Sequence, residues 1–439
     1  KIKFSIMQSQ STFSAGFSEV DFTSQPGFPL LGQMHQRLAT GARDPLMCCG
    51  VALQQGEETV VMVSVDNALI ARPEIIPVQQ KWHEQTGLPE STLLVHATHT
   101  HDAPAAFSEL LEVADSNFVA DLQKAILQCA IEALAKLEPV EVFSGCGHME
   151  QMGWNRRAML EDGSSAMYAN SKTPGFIGME GPRDPALPVL FCRNAEGNIT
   201  GILLSFATHP NSIESATVYS ADVPGEVRKN LKSTFGQNVG IVYLTGAAGN
   251  TAPSILDPYD ESHPWRGEEG LIRSGLYLAS EAAKVIASSY TPMDVPVLQL
   301  QQMSLQIPLR PWPKVGDPTY PQSPGNAYYE RAEKDWPQYL KDHSPQEVRV
   351  NIIRIGDTVI CSNPAELFVE YGLQIRESSP ARVTFISQLT DGYIGYIPTE
   401  LAFSRGGYET WCAASSKMDA STGQQIVDTT VKLLDELQM

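Results

Sequence analysis

Leu94-Val-His-Ala-Thr-His-Thr-His-Asp-Ala-Pro104 begins as an apolar strand and ends as a polar loop stopped by proline. Short apolar, β-branched runs bounded in this way read as buried strands. In an extended chain, side chains two residues apart share a face, so His99 and His101 are expected to point to one place. That place is the C-terminal end of the strand, where ligands bind in open α/β sheets. The chain has 9 histidines, and His96, His99 and His101 put three of them here. Taken alone, His-x-His is a weak signal, open between a metal site and an ordinary strand end.

A second stretch repeats the arrangement. Ile202-Leu-Leu-Ser-Phe-Ala-Thr-His-Pro-Asn211 is again an apolar run that ends in Ala-Thr-His and proline. Two such strands can bring one imidazole each to a shared cation, because zinc takes about four ligands from distant parts of a chain. The other reading of His209 is a residue that caps the turn before Pro210. A third stretch, Val242-Tyr-Leu-Thr-Gly-Ala-Ala-Gly-Asn-Thr-Ala-Pro253, leads from a strand into a loop of small residues. Its glycines permit close backbone approach. Their spacing fits neither a phosphate loop nor a dinucleotide fingerprint.

Around these stretches, strand patterns at 59–65, 92–97, 140–143, 186–192, 202–207, 239–244, 297–307, 348–355, 358–361 and 383–388 alternate with helical ones. The helical patterns lie at 74–83, 117–136, 225–234, 272–288, 328–343, 364–378 and 423–437. This alternation predicts an α/β chain: one large domain over residues 1–439, with a large mixed β-sheet core flanked by helices. The helix over 364–378 is expected to start after Asn363 as N-cap, with Glu366 in its first turn. Residues 308–345 are rich in proline and aromatics. They read either as a surface excursion packed on the core or as a flap bordering a cleft.

Composition removes several function classes. Lys and Arg total 31 against 50 Asp and Glu, a formal charge of −19. A chain this acidic is repelled by phosphate backbones and anionic lipid surfaces, which argues against nucleic acid as a partner. No apolar run approaches the roughly 20 residues of a membrane span. The expectation is a soluble protein, either exported after loss of a leader or cytoplasmic. Seven cysteines at irregular spacing are expected to be mostly buried free thiols.

The order of motifs then resembles the neutral, non-lysosomal ceramidases. It runs Ala-Thr-His-Thr-His, Asn-Arg, Ala-Thr-His-Pro, Gly-Ala-Ala-Gly-Asn-Thr-Ala-Pro, Pro-Ala-Glu and Gly-Tyr-Ile-Pro-Thr, and covers most of the chain. The similarity is to the family's catalytic domain, without its C-terminal immunoglobulin-like domain. The resemblance implies zinc held by His99, His209, Glu366 and Tyr396, at the C-terminal ends of strands. It also implies that His101, Arg156 and Tyr408 meet the substrate: His101 shuttles a proton, and Arg156 and Tyr408 stabilise the oxyanion. Asp222, Asn250 and Asn155 are expected to support the site or the substrate loop, and Asp66 and Asn67 are weaker candidates for orienting an imidazole. Zinc-activated water attacking the amide of an N-acyl, lipid-like substrate is the implied reaction. Esterase or lactonase action at the same zinc, or a non-catalytic binding role, are the alternatives. One position departs from the family: Ala252 stands where its loop carries serine. Activated water does not need that hydroxyl, so the hydrolase expectation stands, but ceramide as the substrate does not follow.

Overall fold

The computed structural model describes residues 12–33, 35–108, 114–253, 265–294, 296–437 and 439. The expected mixed β-sheet core flanked by helices is present, divided among three principal sheets. The first orders Leu93–Ala97, Glu58–Val65, Met47–Gln55, Phe13–Asp21 and Glu138–Pro139. The second orders Gly240–Thr245, Ile199–Phe206, Ala186–Arg193 and Glu141–His148. The third orders Leu298–Ile307, Gln346–Ile355, Thr358–Ser362 and Val383–Ser387. Each sheet is mixed: it has one parallel pair, and its other strands run antiparallel.

Each sheet turns one face to helices and the other to a shared centre. Helices Arg72–Thr86 and Ser116–Ala135 cover the first sheet, and Val223–Phe235 with Gly267–Ser288 cover the second. Val369–Ser378 and Thr422–Glu436 cover the third. The inner faces meet through Val51, Met62 and Leu94, Leu190, Leu203 and Val242, and Ile353, Ile360 and Phe385. Burying each such side chain contributes about 1.5–3 kcal/mol. Buried serines stitch the sheets at their junctions: Ser64 donates to the Tyr243 carbonyl, and Ser205 to that of Ile386, both at 2.6 Å.

Two long strands were not foreseen, Phe13–Asp21 and Met47–Gln55. Glycine, serine and alanine dilute their strand pattern, and packing explains why they are there. A Cβ on Gly16 would lie 2.2 Å from the Ala133 carbonyl oxygen, and one on Gly50 2.9 Å from Cys129 Sγ. The Ser116–Ala135 helix seats closely on the sheet only because these side chains are missing. All seven cysteines are free, and six are buried. The 308–345 segment carries helix Ala327–His343, capped by Asn326 and anchored by buried Tyr328, Tyr329 and Trp336. Among the described residues, no helix is long and apolar enough to cross a membrane.

His96 joins all three sheets. It sits on a first-sheet strand and donates from Nδ1 to the Gln388 carbonyl at 2.8 Å, beyond the third sheet. Its Nε2 accepts from the Thr245 amide of the second at 3.1 Å. Burial pushes its pKa down to about 3, far below its unfolded value, so the ring's stabilisation is complete above about pH 6.5 and is lost as pH falls toward the lowered value. Stability should decline by about 1.4 kcal/mol per pH unit from this residue over that window. A His96→Gln variant, followed by urea midpoints from pH 7 to 4, should show a shallower acid slope.

Candidate active site

The parallel pair in each sheet sends its C-terminal ends to one place. The Leu93–Ala97 and Glu58–Val65 ends carry His99 and Ala68, and the Ile199–Phe206 and Gly240–Thr245 ends carry His209 and Ala248. The Thr358–Ser362 end leads to Glu366. The extended geometry expected around His99 is not adopted. The strand stops at Ala97, and His99 has φ +73°, a left-handed conformation that is rare for a non-glycine residue. His99 and His101 nevertheless meet, with ring centroids 4.9 Å apart, because the backbone reverses rather than because it is extended.

The expected helix start at Glu366 is likewise replaced. Glu366–Leu367 is a two-residue strand in parallel register with Tyr396–Ile397, and the helix begins only at Val369. Asn363 caps a turn instead, its Oδ1 accepting from the Ala365 amide at 3.1 Å. The reason is the demand of the main chain. The Glu366 amide donates to the Gly395 carbonyl, and Gly249 donates to the Leu367 carbonyl. The same pairing sets Glu366 directly beside Tyr396.

His99, His101 and His209 form a buried group whose ring nitrogens lie within 4.8 Å of one another. Backbone carbonyls, not carboxylates, orient two of them: Nδ1 of His99 donates to Ala68 and Nδ1 of His209 to Ala248, each at 2.6 Å. With Nδ1 so engaged, Nε2 is the nitrogen of each ring turned to the site. Both face Glu366 Oε2, at 3.1 Å from His99 and 3.4 Å from His209. Burial pushes the Glu366 carboxyl up, but His99 and His209 outweigh it and hold it well below the usual range. Burial, with Arg156 beside it, lowers His209 to about 3. A carboxylate oxygen and two imidazole nitrogens thus converge within 3.4 Å. The donor set suits a divalent cation of the zinc type.

Around this group, Tyr393 donates to the other Glu366 oxygen at 3.0 Å. Arg156 donates to the Tyr396 hydroxyl at 3.2 Å and to Glu409 Oε1 at 2.9 Å. Arg157 donates to Glu409 Oε2 at 2.7 Å, so one buried carboxylate holds two guanidinium groups. Burial and the Glu366 charge push the Tyr396 phenol well up, opposed by Arg156. The Tyr408 ring lies 5.7 Å from that of Tyr396. His99, His101, Glu366, Tyr396 and Tyr408 share the wall of one narrow pocket of about 40 Å³, which also takes in Tyr328. That is room for a few atoms rather than for a bulky group.

The remaining expected residues divide. Asn250 lies at the site's edge: its carbonyl accepts from the Arg156 amide, and its side chain ties Val369 and Glu370. Among the described residues, Asp222 hydrogen-bonds to no imidazole. Asp222 caps the Val223–Phe235 helix and accepts from Ser212 and Ile213 just after His209, while Asn155 braces Arg157 and Pro182. Asp66 pairs with Arg228, and Asn67 donates to the Pro104 carbonyl. Sequence reasoning missed Tyr393, Glu409 and Glu214, whose Oε2 lies 3.6 Å from His101 Nδ1. The signals were present: Tyr393 precedes Tyr396 in Thr390-Asp-Gly-Tyr-Ile-Gly-Tyr396, and Glu409 follows Tyr408.

Comparison with known proteins bears on this geometry. No family model matches the chain. A neutral ceramidase of Pseudomonas aeruginosa is 26% identical over 197 residues, 42% of this chain and 28% of that protein. The match thus spans less than a third of that relative's length. A solved structure described as ceramidase complexed with C2 superposes with TM-score 0.77 at 18% identity, over 98% of this chain and 75% of that one. The crystal structure of neutral ceramidase from Pseudomonas aeruginosa gives TM-score 0.76 at the same identity and coverage. These likenesses establish a fold shared with the neutral ceramidases, and the sequence match adds similarity to one of them over 42% of this chain.

Proposed function

We propose that this chain hydrolyses the amide bond of a linear N-acyl substrate at a zinc site held by His99, His209, Glu366 and Tyr396. The observation that carries the reading is the convergence of two imidazole nitrogens on one carboxylate oxygen, at 3.1 and 3.4 Å. Zinc bound there supplies a Lewis acid for a carbonyl oxygen and lowers the pKa of an attacking water. The protein's own groups do the rest. His101 lines the pocket with Glu214 Oε2 3.6 Å from its Nδ1, a carboxylate that supports the ring as it takes a proton and returns it to the leaving amine. Arg156, fixed by Glu409, places positive charge behind Tyr396, and the Tyr408 phenol keeps its proton, since burial pushes its pKa well up. Together they favour negative charge developing on the carbonyl oxygen.

The named relatives make an N-acyl sphingoid base the first substrate to try. The test is a panel of N-acyl amides beside matched esters. Faster turnover of amides supports the reading; turnover of esters alone makes the protein a zinc esterase. His101→Ala is expected to keep about one metal per chain and to lose turnover by about 10²–10⁴-fold. Loss of the metal in that variant would make His101 a third imidazole ligand instead, as its place in the histidine group allows.

A further inference from the structure

The short strands Pro29–Leu30 and Arg37–Leu38 pair antiparallel and form a strap against the loop that carries His101. Main-chain bonds fasten it: the Leu31 amide donates to Ala103 at 3.2 Å, and the Ala105 amide donates to Pro29 at 2.9 Å. Buried Arg37 adds a clamp, donating to the His101 carbonyl and to Asp102 Oδ1. Just past the first strand, Gly32 lies flat against the imidazole. A Cβ there would stand 2.4 Å from His101 Cγ, 2.7 Å from its Cβ and 2.8 Å from Nδ1. Leu31, Gly32 and Gln33 also line the pocket that His101 shares with Glu366.

We propose that Gly32 is a positioning residue, a backbone wall that holds the His101 ring in the orientation facing the pocket. This rests on the reading of His101 as the proton-transfer group. The nearest group to Nδ1 is the Glu214 carboxylate, whose Oε2 stands 3.6 Å away, beyond a well-formed hydrogen bond, so packing shares in fixing the ring. The Gly32 main chain supplies that packing on one side, and the Arg37 clamp keeps the wall in place. Any side chain at position 32 displaces the ring or the strap.

Gly27 provides the control. It has nearly the same backbone strain, φ +116° against +120°, yet nothing lies within 4 Å of its missing Cβ. Turnover and thermal unfolding are measured for the zinc-loaded wild type, Gly27→Ala and Gly32→Ala, and for both glycine variants in a His101→Gly background. Gly32→Ala should lower kcat by about 10–100-fold with little change in KM, as expected of a misplaced reacting group. Gly27→Ala should stay within about twofold. Gly32→Ala should also melt lower than Gly27→Ala, and that excess should disappear once His101 is glycine. Equal behaviour of the two variants, or an excess that persists without the imidazole, overturns the proposal. If the wild type turns over no amide, the hydrolase reading fails, while the melting comparison still decides the role of Gly32.

Discussion

Replacing His209 with alanine is expected to cut kcat/KM for an N-acyl amide by about 10³-fold or more, with bound zinc lost in parallel. His209 is fully buried, its Nδ1–H is committed to Ala248, and its Nε2 faces Glu366 at 3.4 Å. Removing the ring takes away one of the two imidazole nitrogens that the carboxylate confronts. A Lewis acid is worth several kcal/mol of transition-state stabilisation, and each 1.36 kcal/mol is tenfold in rate. The ring is small, and Ala248 keeps its backbone neighbours, so the fold should survive. Initial rates together with metal content and circular dichroism check the prediction; a folded variant with wild-type turnover contradicts it.

Replacing Glu409 with alanine should have the largest effect on stability, about 3–5 kcal/mol. Glu409 is fully buried and accepts from Arg156 at 2.9 Å and from Arg157 at 2.7 Å, and both arginines are themselves buried. Removing the carboxylate leaves two guanidinium groups without their shared counter-charge. Among the described residues, Arg157 keeps a second anion, Glu180 at 3.0 Å, and Arg156 does not. Burial raises the Glu409 carboxyl, but Arg157 and Arg156 prevail and hold it below its usual value. The network's contribution is therefore present above about pH 4.5 and lost as pH falls through the lowered value. Urea unfolding of Glu409→Ala at pH 7 should show a lower midpoint with an unchanged slope. Turnover should fall with it, because Arg156 is the group that holds the Tyr396 hydroxyl.

Much of this was legible in the sequence, and the misses have physical causes. The Ala-Thr-His repeats located His99 and His209, because apolar strands that stop at proline advertise their own ends. What lay between strands was harder to read. The left-handed turn at His99 and the two-residue strand at Glu366 are both set by main-chain bonds to distant segments, to Asn67 and to Gly395. No local pattern records those bonds. The same holds for the partners of the imidazoles: a carboxylate such as Asp222 is visible in a sequence, whereas the carbonyls of Ala68 and Ala248 carry no residue signature. The division into three sheets was hidden because each holds a parallel pair and an antiparallel meander. Its strands therefore have the same patterns as those of one continuous mixed sheet.

Amide hydrolysis should follow metal occupancy of the histidine–glutamate cluster. The most direct measurement is hydrolysis of an N-acyl sphingoid base by chelator-stripped protein as zinc is added in known increments. The account predicts no turnover at the start and a rise that levels off near one zinc per chain. Full turnover in the stripped protein, or zinc bound at that stoichiometry without any hydrolysis, would contradict it.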